Sequence, residues 1–187
     1  MEIEGYRVQK LIEDFLQNRG YTVALIDPKK IIYREEFAAK CQMNYCGRYG
    51  RSWSCPPAIG DRDKIQERAT QFPIAFLYQK VFPLEDSYDY EGMEAGRRTI
   101  MKDTLTLHEL LKREKTDYYI LSSGSCSLCS ECTYPMSPCR FPDKLLISME
   151  ALGIDVAVLA REYGLKYYHG PATTTYFALV FLGETND

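Results

Sequence analysis

Seven cysteines hold most of the chemistry this chain can do, and they fall into two groups. Cys126, Cys129, Cys132 and Cys139 share one short stretch, the first three spaced C-x2-C-x2-C. A chain that coils around a compact iron–sulfur core presents thiolates three residues apart to successive corners. A mononuclear zinc site is usually assembled from two C-x2-C pairs far apart in sequence, so a third cysteine on the same pitch is redundant for it. The spacing therefore predicts a four-cysteine [4Fe-4S] site, with zinc, or redox and structural thiols, as the alternatives. Cys139 supplies the fourth ligand, directly after Pro138 and with Pro142 close behind. Six residues separate it from Cys132, a longer arm than the three of the bacterial ferredoxin run. Arg140 follows where that run has proline. It has two readings, a donor to cluster sulfur or thiolate and a plain surface cation.

Cys41, Cys46 and Cys55 form the second group, spaced C-x4-C-x8-C. This pattern is less specific, and it reads either as a second cluster or as three structural or free thiols. A second [4Fe-4S] cluster here would have one corner without a cysteine. Water, substrate, a non-cysteine side chain or a partner's thiolate would fill it, and an open iron can act as a Lewis acid. His169, in a loop, is a candidate for that corner, whereas His108 reads as a structural histidine on a helix. Gly47, Gly50, Pro56 and Pro57 predict an irregular loop around the three cysteines. Trp53, the one tryptophan, lies inside it, placed to shield a metal site from water.

Composition narrows the setting. The 187 residues suffice for one domain with a real core, and 45% hydrophobic with 26% charged residues is ordinary for a soluble protein. A net charge of −3, without a long basic stripe, argues against nucleic acid, and Lys29-Lys30 and Arg97-Arg98 read as solvated pairs. The longest apolar run, 177–182, is far short of a membrane span. Met1-Glu2-Ile3-Glu4 is unlike a secretory signal, so the odd cysteine count reads as metal ligands in the reducing cytoplasm. Neither a phosphate-binding glycine loop nor a nucleophile elbow nor a zinc-protease helix is present.

The elements that must position the cysteines follow from periodicity. Val8, Leu11, Ile12, Phe15 and Leu16 mark an amphipathic helix ending near Gly20. Strands are expected at 21–26, 31–33, 74–82, 117–121 and 173–182. Helices are expected at 35–40, from Asp61 to Phe72, at 143–152 and from Asp155 to Tyr163. Residues 85–115 read as one long helix, or two broken near Gly92 or Gly96. The fold class is α+β, a single domain over 1–187. It has a mixed, mainly antiparallel sheet with helices packed on one face and two cysteine-rich metal-binding loops.

Several of these segments together resemble a prokaryotic family catalogued as predicted metal-binding proteins of unknown function. They are Tyr49-Gly50-Arg51-Ser52-Trp53-Ser54-Cys55-Pro56-Pro57, the C-x2-C-x2-C loop with Pro138 to Pro142, Ser148 to Val156, and the closing segment 170–182. The resemblance implies that Cys55, Cys126, Cys129, Cys132 and Cys139, then Cys41 and Cys46, are metal ligands, and that the metal is iron–sulfur. It supplies no reaction. The resulting expectation is an iron–sulfur protein that transfers electrons for a partner enzyme. The rivals are a redox enzyme with an open cluster corner and a small-molecule ligand at the three-cysteine site, and a zinc-stabilised interaction module.

Overall fold

The computed structural model describes residues 2–185. Helix α1 (Glu2–Gln17) leads into β1 (Thr22–Ile26), α2 (Glu35–Gln42) and α3 (Arg62–Gln71). Strand β2 (Ile74–Pro83), helix α4 (Tyr90–Arg113) and strand β3 (Thr116–Ser122) follow. The two-residue β4 (Ile147–Ser148), helix α5 (Val156–Glu162) and β5 (Thr173–Thr185) complete the chain. The sheet order is β1-β2-β5-β3-β4, antiparallel throughout except for the parallel β3–β4 pair.

The sheet is covered on both faces, which corrects the expected one-sided packing. Strand β5, the middle strand, is apolar at every position from Phe177 to Leu182, and each is at most 3% exposed. Alternate residues of a strand face opposite sides, so a continuous apolar run demands cover on both. Phe177, Leu179 and Phe181 pack with Ala69 and Phe72 at α3, Leu159 and Ala160 of α5, and Ala75 and Leu77 of β2. Ala178, Val180 and Leu182 pack with Val8, Ile12 and Leu16 of α1 and with Ile100, Leu107 and Leu111 of α4.

Helix α4 runs unbroken through both of its glycines. Asp89 caps it by accepting from Gly92 N at 2.8 Å. Gly96 lies where the helix presses on the sheet: a Cβ there would come 2.9 Å from the Phe82 ring and 3.2 Å from Tyr176. The glycine is thus a packing residue and not a break.

Two sequence expectations fail for one reason, the competition of tertiary pairing with local periodicity. Residues 143–152 were expected as a helix. They form instead a 3-10 turn at Pro142–Lys144, strand β4 and a second 3-10 turn at Glu150–Leu152. Leu145, Leu146, Met149 and Leu152 mimic helical spacing, but Ile147 and Ser148 pair with Leu121 and Ser122 at the sheet edge. Residues 31–33 join no strand of the sheet; Tyr33 makes an isolated bridge to Ile154.

That bridge helps to position α2. Arg34 N donates to Gly153 O at 2.7 Å, Asp155 N donates to Ile32 O at 3.1 Å, and Arg34 Nε meets Asp155 Oδ2 at 2.6 Å. Asp155 also caps α5 through Val158 N at 3.1 Å. Gly153 has φ +78, and a Cβ on it would lie 2.6 Å from Arg34 O. Residues 153–155 therefore hold the start of α2, and the end of α2 carries Cys41.

Candidate metal centre

The four-cysteine stretch leaves the sheet at the C-terminal end of β3. Cys126, Cys129, Cys132 and Cys139 line one cavity, together with Ser52, Trp53 and Arg48 from the other cysteine loop. The loop closes on itself through Thr133 Oγ1, which donates to Pro138 O at 2.9 Å, and through Arg140 Nη1, which donates to Glu131 O at 2.9 Å. Arg140 thus ties the arm carrying Cys139 to the preceding turn; its observed partner is a carbonyl and not a sulfur. Phe141 N–H points at Cys139 Sγ, 3.4 Å away.

The thiols differ electrostatically. Burial raises the Cys126 thiol; the Leu128 N–H works against this, and the other three thiols add to it. Burial acts on Cys132 in the same direction, but the N–H groups of Tyr134 and Trp53, the Ser52 hydroxyl and the Thr133 N–H outweigh it. Cys132 consequently sits below the ordinary thiol value. Donors aimed at sulfur stabilise thiolate and lower the charge that a thiolate-bound metal group must carry.

The second group is brought together by a helix and a loop rather than by a loop alone. Cys41 lies in α2, a correction to the irregular segment expected over 41–57, while Cys46 and Cys55 lie in the loop that follows. Cys55 is buried, Cys41 half-buried and Cys46 exposed. Burial raises Cys41, and Cys46 and Cys55 raise it further. Burial also raises Cys55, partly offset by the Ser54 and Ser52 hydroxyls. The loop is shaped by Tyr49 N–H on Asn44 Oδ1 at 2.9 Å and by Gly50 N–H on Pro56 O at 2.9 Å.

The two loops pack against each other as one structure. Trp53 Nε1 reaches across to Thr133 Oγ1 at 3.3 Å and Ser137 O at 3.2 Å, and the Trp53 ring meets Tyr134 edge-on at 4.9 Å. Ser54, fully buried, accepts the Cys126 N–H at 2.9 Å and lies 3.8 Å from Cys55 Sγ. The Ser54 hydroxyl thus touches the Cys55 thiol and the backbone of Cys126 at once. Arg97 anchors the assembly to α4: its Nη1 donates to Ser125 O at 3.1 Å while Nε and Nη2 grip Glu94 at 2.6 and 2.7 Å. The sequence alone presents Arg97 and Arg98 as an equivalent solvated pair. Their side chains are 18% and 71% exposed, so only Arg98 fits it.

A larger cavity, about 680 Å³, opens beside the three-cysteine group. Cys41, Cys46, Lys40, Arg97, Ser123–Gly124 and the Thr174–Phe177 stretch of β5 are among its walls. His169 donates to or accepts from Thr175 Oγ1 through Nδ1 at 3.1 Å, which puts it one side chain behind this wall. His108 is satisfied structurally, between Asp143 O at 2.8 Å and Tyr118 Oη at 3.1 Å.

Residues 24–182, well over half of the chain, match the profile of a family described as predicted metal-binding protein, DUF2284. The chain belongs to the DUF2284 family. No curated protein and no solved structure matches it. The DUF2284 match spans all seven cysteines and stops at the end of the buried part of β5. Metal binding is what the family description states, and it identifies no metal.

Whether a metal group fits this DUF2284 chain can be tested on the donors themselves. Four thiols around one cavity, with N–H groups turned toward sulfur, are suitable in chemistry. As they stand, however, no group of three or more His, Cys, Asp or Glu among the described residues is placed to hold a metal ion. The cavity between the four thiols is about 20 Å³, room for roughly one water. Holding a metal group would therefore require these side chains to rearrange. Residues 135–138 lie exposed along the loop, so rearrangement there displaces little packing.

Sequence reasoning missed Ser52, Ser54, Arg97 and Arg48 as parts of this centre. The signal for the serines was present: Ser-Trp-Ser directly precedes Cys55, and two buried hydroxyls there have to find polar partners. Nothing local marks Arg97, whose role depends on where α4 crosses the loop.

Proposed function

We propose that this chain is an iron–sulfur protein of the cytoplasm that carries electrons for a partner enzyme. The 126–139 loop would hold one [4Fe-4S] cluster through Cys126, Cys129, Cys132 and Cys139, and the 41–55 group a second through Cys41, Cys46 and Cys55. The observation that carries this reading is the convergence of all four loop cysteines on one cavity capped by Trp53. Such a cluster, when bound, accepts and releases single electrons. The protein's own part is to hold the thiols, to direct N–H and hydroxyl donors at sulfur, and to exclude water with Trp53, Leu128 and Phe141. The hydroxyl of Ser54 keeps the two ligand groups adjacent, as electron exchange between them requires.

Anaerobic purification with iron and acid-labile sulfide analysis tests it. A brown protein with a broad band near ~400 nm, from thiolate-to-iron charge transfer, is the expected result. A colourless protein with stoichiometric zinc and no sulfide would instead establish the interaction module.

One observation favours a second reading, a redox enzyme. The three-cysteine group leaves a corner without a thiolate, and Cys41 and Cys46 line the 680 Å³ cavity, a size suited to a small molecule. In that reading the ligand sits against the open corner and the four-cysteine site supplies electrons. EPR spectra recorded with and without small carboxylates or phosphate esters separate the two. A perturbed signal from one cluster marks the enzyme, and unperturbed spectra with rapid exchange to a partner protein mark the carrier.

A further inference from the structure

A further concave surface adjoins the four-thiol cavity, sharing Arg48, Leu128 and Cys129 with it. It is a groove of about 810 Å³ between the exposed side of α4 and residues 127–130, and Cys129 belongs both to its wall and to the four-thiol cavity. Its charge is one-sided. Arg48, Arg97, Arg98, Lys102 and Lys144 line it against only Glu94 and Glu109. Glu94 is taken up by Arg97 and Arg98, and Glu109 by Lys144 at 3.0 Å. Among the described residues, Arg48 and Lys102 have no carboxylate within ion-pair distance, so their charge is directed outward. This concentration of cations stands on a chain whose net charge is −3, which thiolate-held iron–sulfur would make more negative still. A local field opposite in sign to the whole molecule orients a charged partner as it approaches.

We propose that this groove is the docking face for a small acidic electron-carrier protein, with Cys129 as the thiol nearest the partner. The inference rests on the iron–sulfur reading for its purpose, though not for its binding. The carrier loses one electron as the group held by the thiolates gains one, and no atom or proton need cross. Leu105 and Leu128 give the groove an apolar component, and the carboxylates Glu94 and Glu109 interrupt the cations. A protein with a few acidic side chains around an apolar centre matches that pattern better than the evenly charged backbone of a nucleic acid.

The test uses the anaerobically purified full chain and an acidic bacterial ferredoxin as the probe, with affinity measured by calorimetry at low and high salt. Binding should weaken at least tenfold between about 20 and 500 mM salt, because surface charge pairs are screened over that range. The double variant Arg98→Glu/Lys102→Glu should weaken low-salt binding at least tenfold while circular dichroism and iron content stay unchanged. Lys64→Glu, on α3 at the other face of the sheet, should leave affinity as it was. Absence of binding at low salt, affinity indifferent to salt or to the double variant, or binding of an RNA oligomer in preference to the ferredoxin would each overturn the proposal. Sulfide analysis of the same sample keeps the two ideas apart. A protein without sulfide that still binds ferredoxin through the groove defeats the redox function alone, and a cluster-bearing protein that ignores ferredoxin defeats the docking face alone.

Discussion

At the scale of residues, the centre depends on a few polar atoms whose loss has separable effects. Cys129→Ser removes one of the four thiols that line the loop cavity. Iron and sulfide at the 126–139 site should be lost, together with their share of the ~400 nm band; unchanged metal content would show that Cys129 is not a ligand. Ser54→Ala keeps every thiol but leaves the Cys126 N–H without its acceptor and Ser52 without its hydroxyl partner at 3.0 Å. An unpaired buried donor costs about 1–3 kcal/mol, to be read as a lowered urea midpoint at constant slope. The two variants differ in kind: the first acts on binding of the metal group, the second on the junction between the loops.

At the scale of elements, α2 delivers Cys41 only because its first turn is held by the 153–155 corner. Gly153→Ala places a Cβ 2.6 Å from Arg34 O in a left-handed conformation. Backbone strain and overpacking together should cost about 2–4 kcal/mol in thermal or chemical denaturation. If the variant matches the parent in stability, this corner is not what fixes α2. Helix α4 has the corresponding role for the other loop, since Arg97 joins it to Ser125. The Arg97 hydrogen bond holds Glu94 well below the ordinary 4.5, at about 2, with a smaller contribution from Arg98. A carboxylate depressed in the folded state adds stability above its unfolded pKa, and loses it as pH falls through the folded one. The apo protein should therefore lose stability between about pH 4.5 and 2, and Glu94→Gln should flatten that part of the profile. An identical acid profile for parent and variant would remove Glu94 from the account.

At the scale of the whole molecule, a sheet buried on both faces carries the stability while the cysteine loops project from one end of it. The core contains β2 and β5 and the four helices α1, α3, α4 and α5, so the fold does not depend on a metal group for its centre. Metal removal should consequently lower the thermal midpoint and loosen residues 41–57 and 126–141 while leaving the far-ultraviolet dichroism of the core in place. Global unfolding on chelation would show that the loops are structural to the entire domain.

Much of this was readable in one dimension because it rests on local chemistry. C-x2-C-x2-C places three thiols on a short arc whatever surrounds them. The caps Asp61 and Asp155 act on N–H groups three residues away. The apolar stripe of α1 and the continuous run of β5 reflect burial directly, although the cover on both faces of the sheet was not read from that run. The remainder required distant segments to meet. Ser54 lies 72 positions from Cys126, and Arg97 lies 28 from Ser125. Residues 143–152 have helical spacing, yet Ile147 and Ser148 become an edge strand only because β3 is there to pair with. Local spacing dictated which atoms can bind a metal, while the crossing of α4 and the meeting of the two loops decided which face each thiol shows. The physical reason is that side-chain chemistry and turn geometry act over a few residues, whereas sheet pairing and core burial are paid for by the whole chain at once.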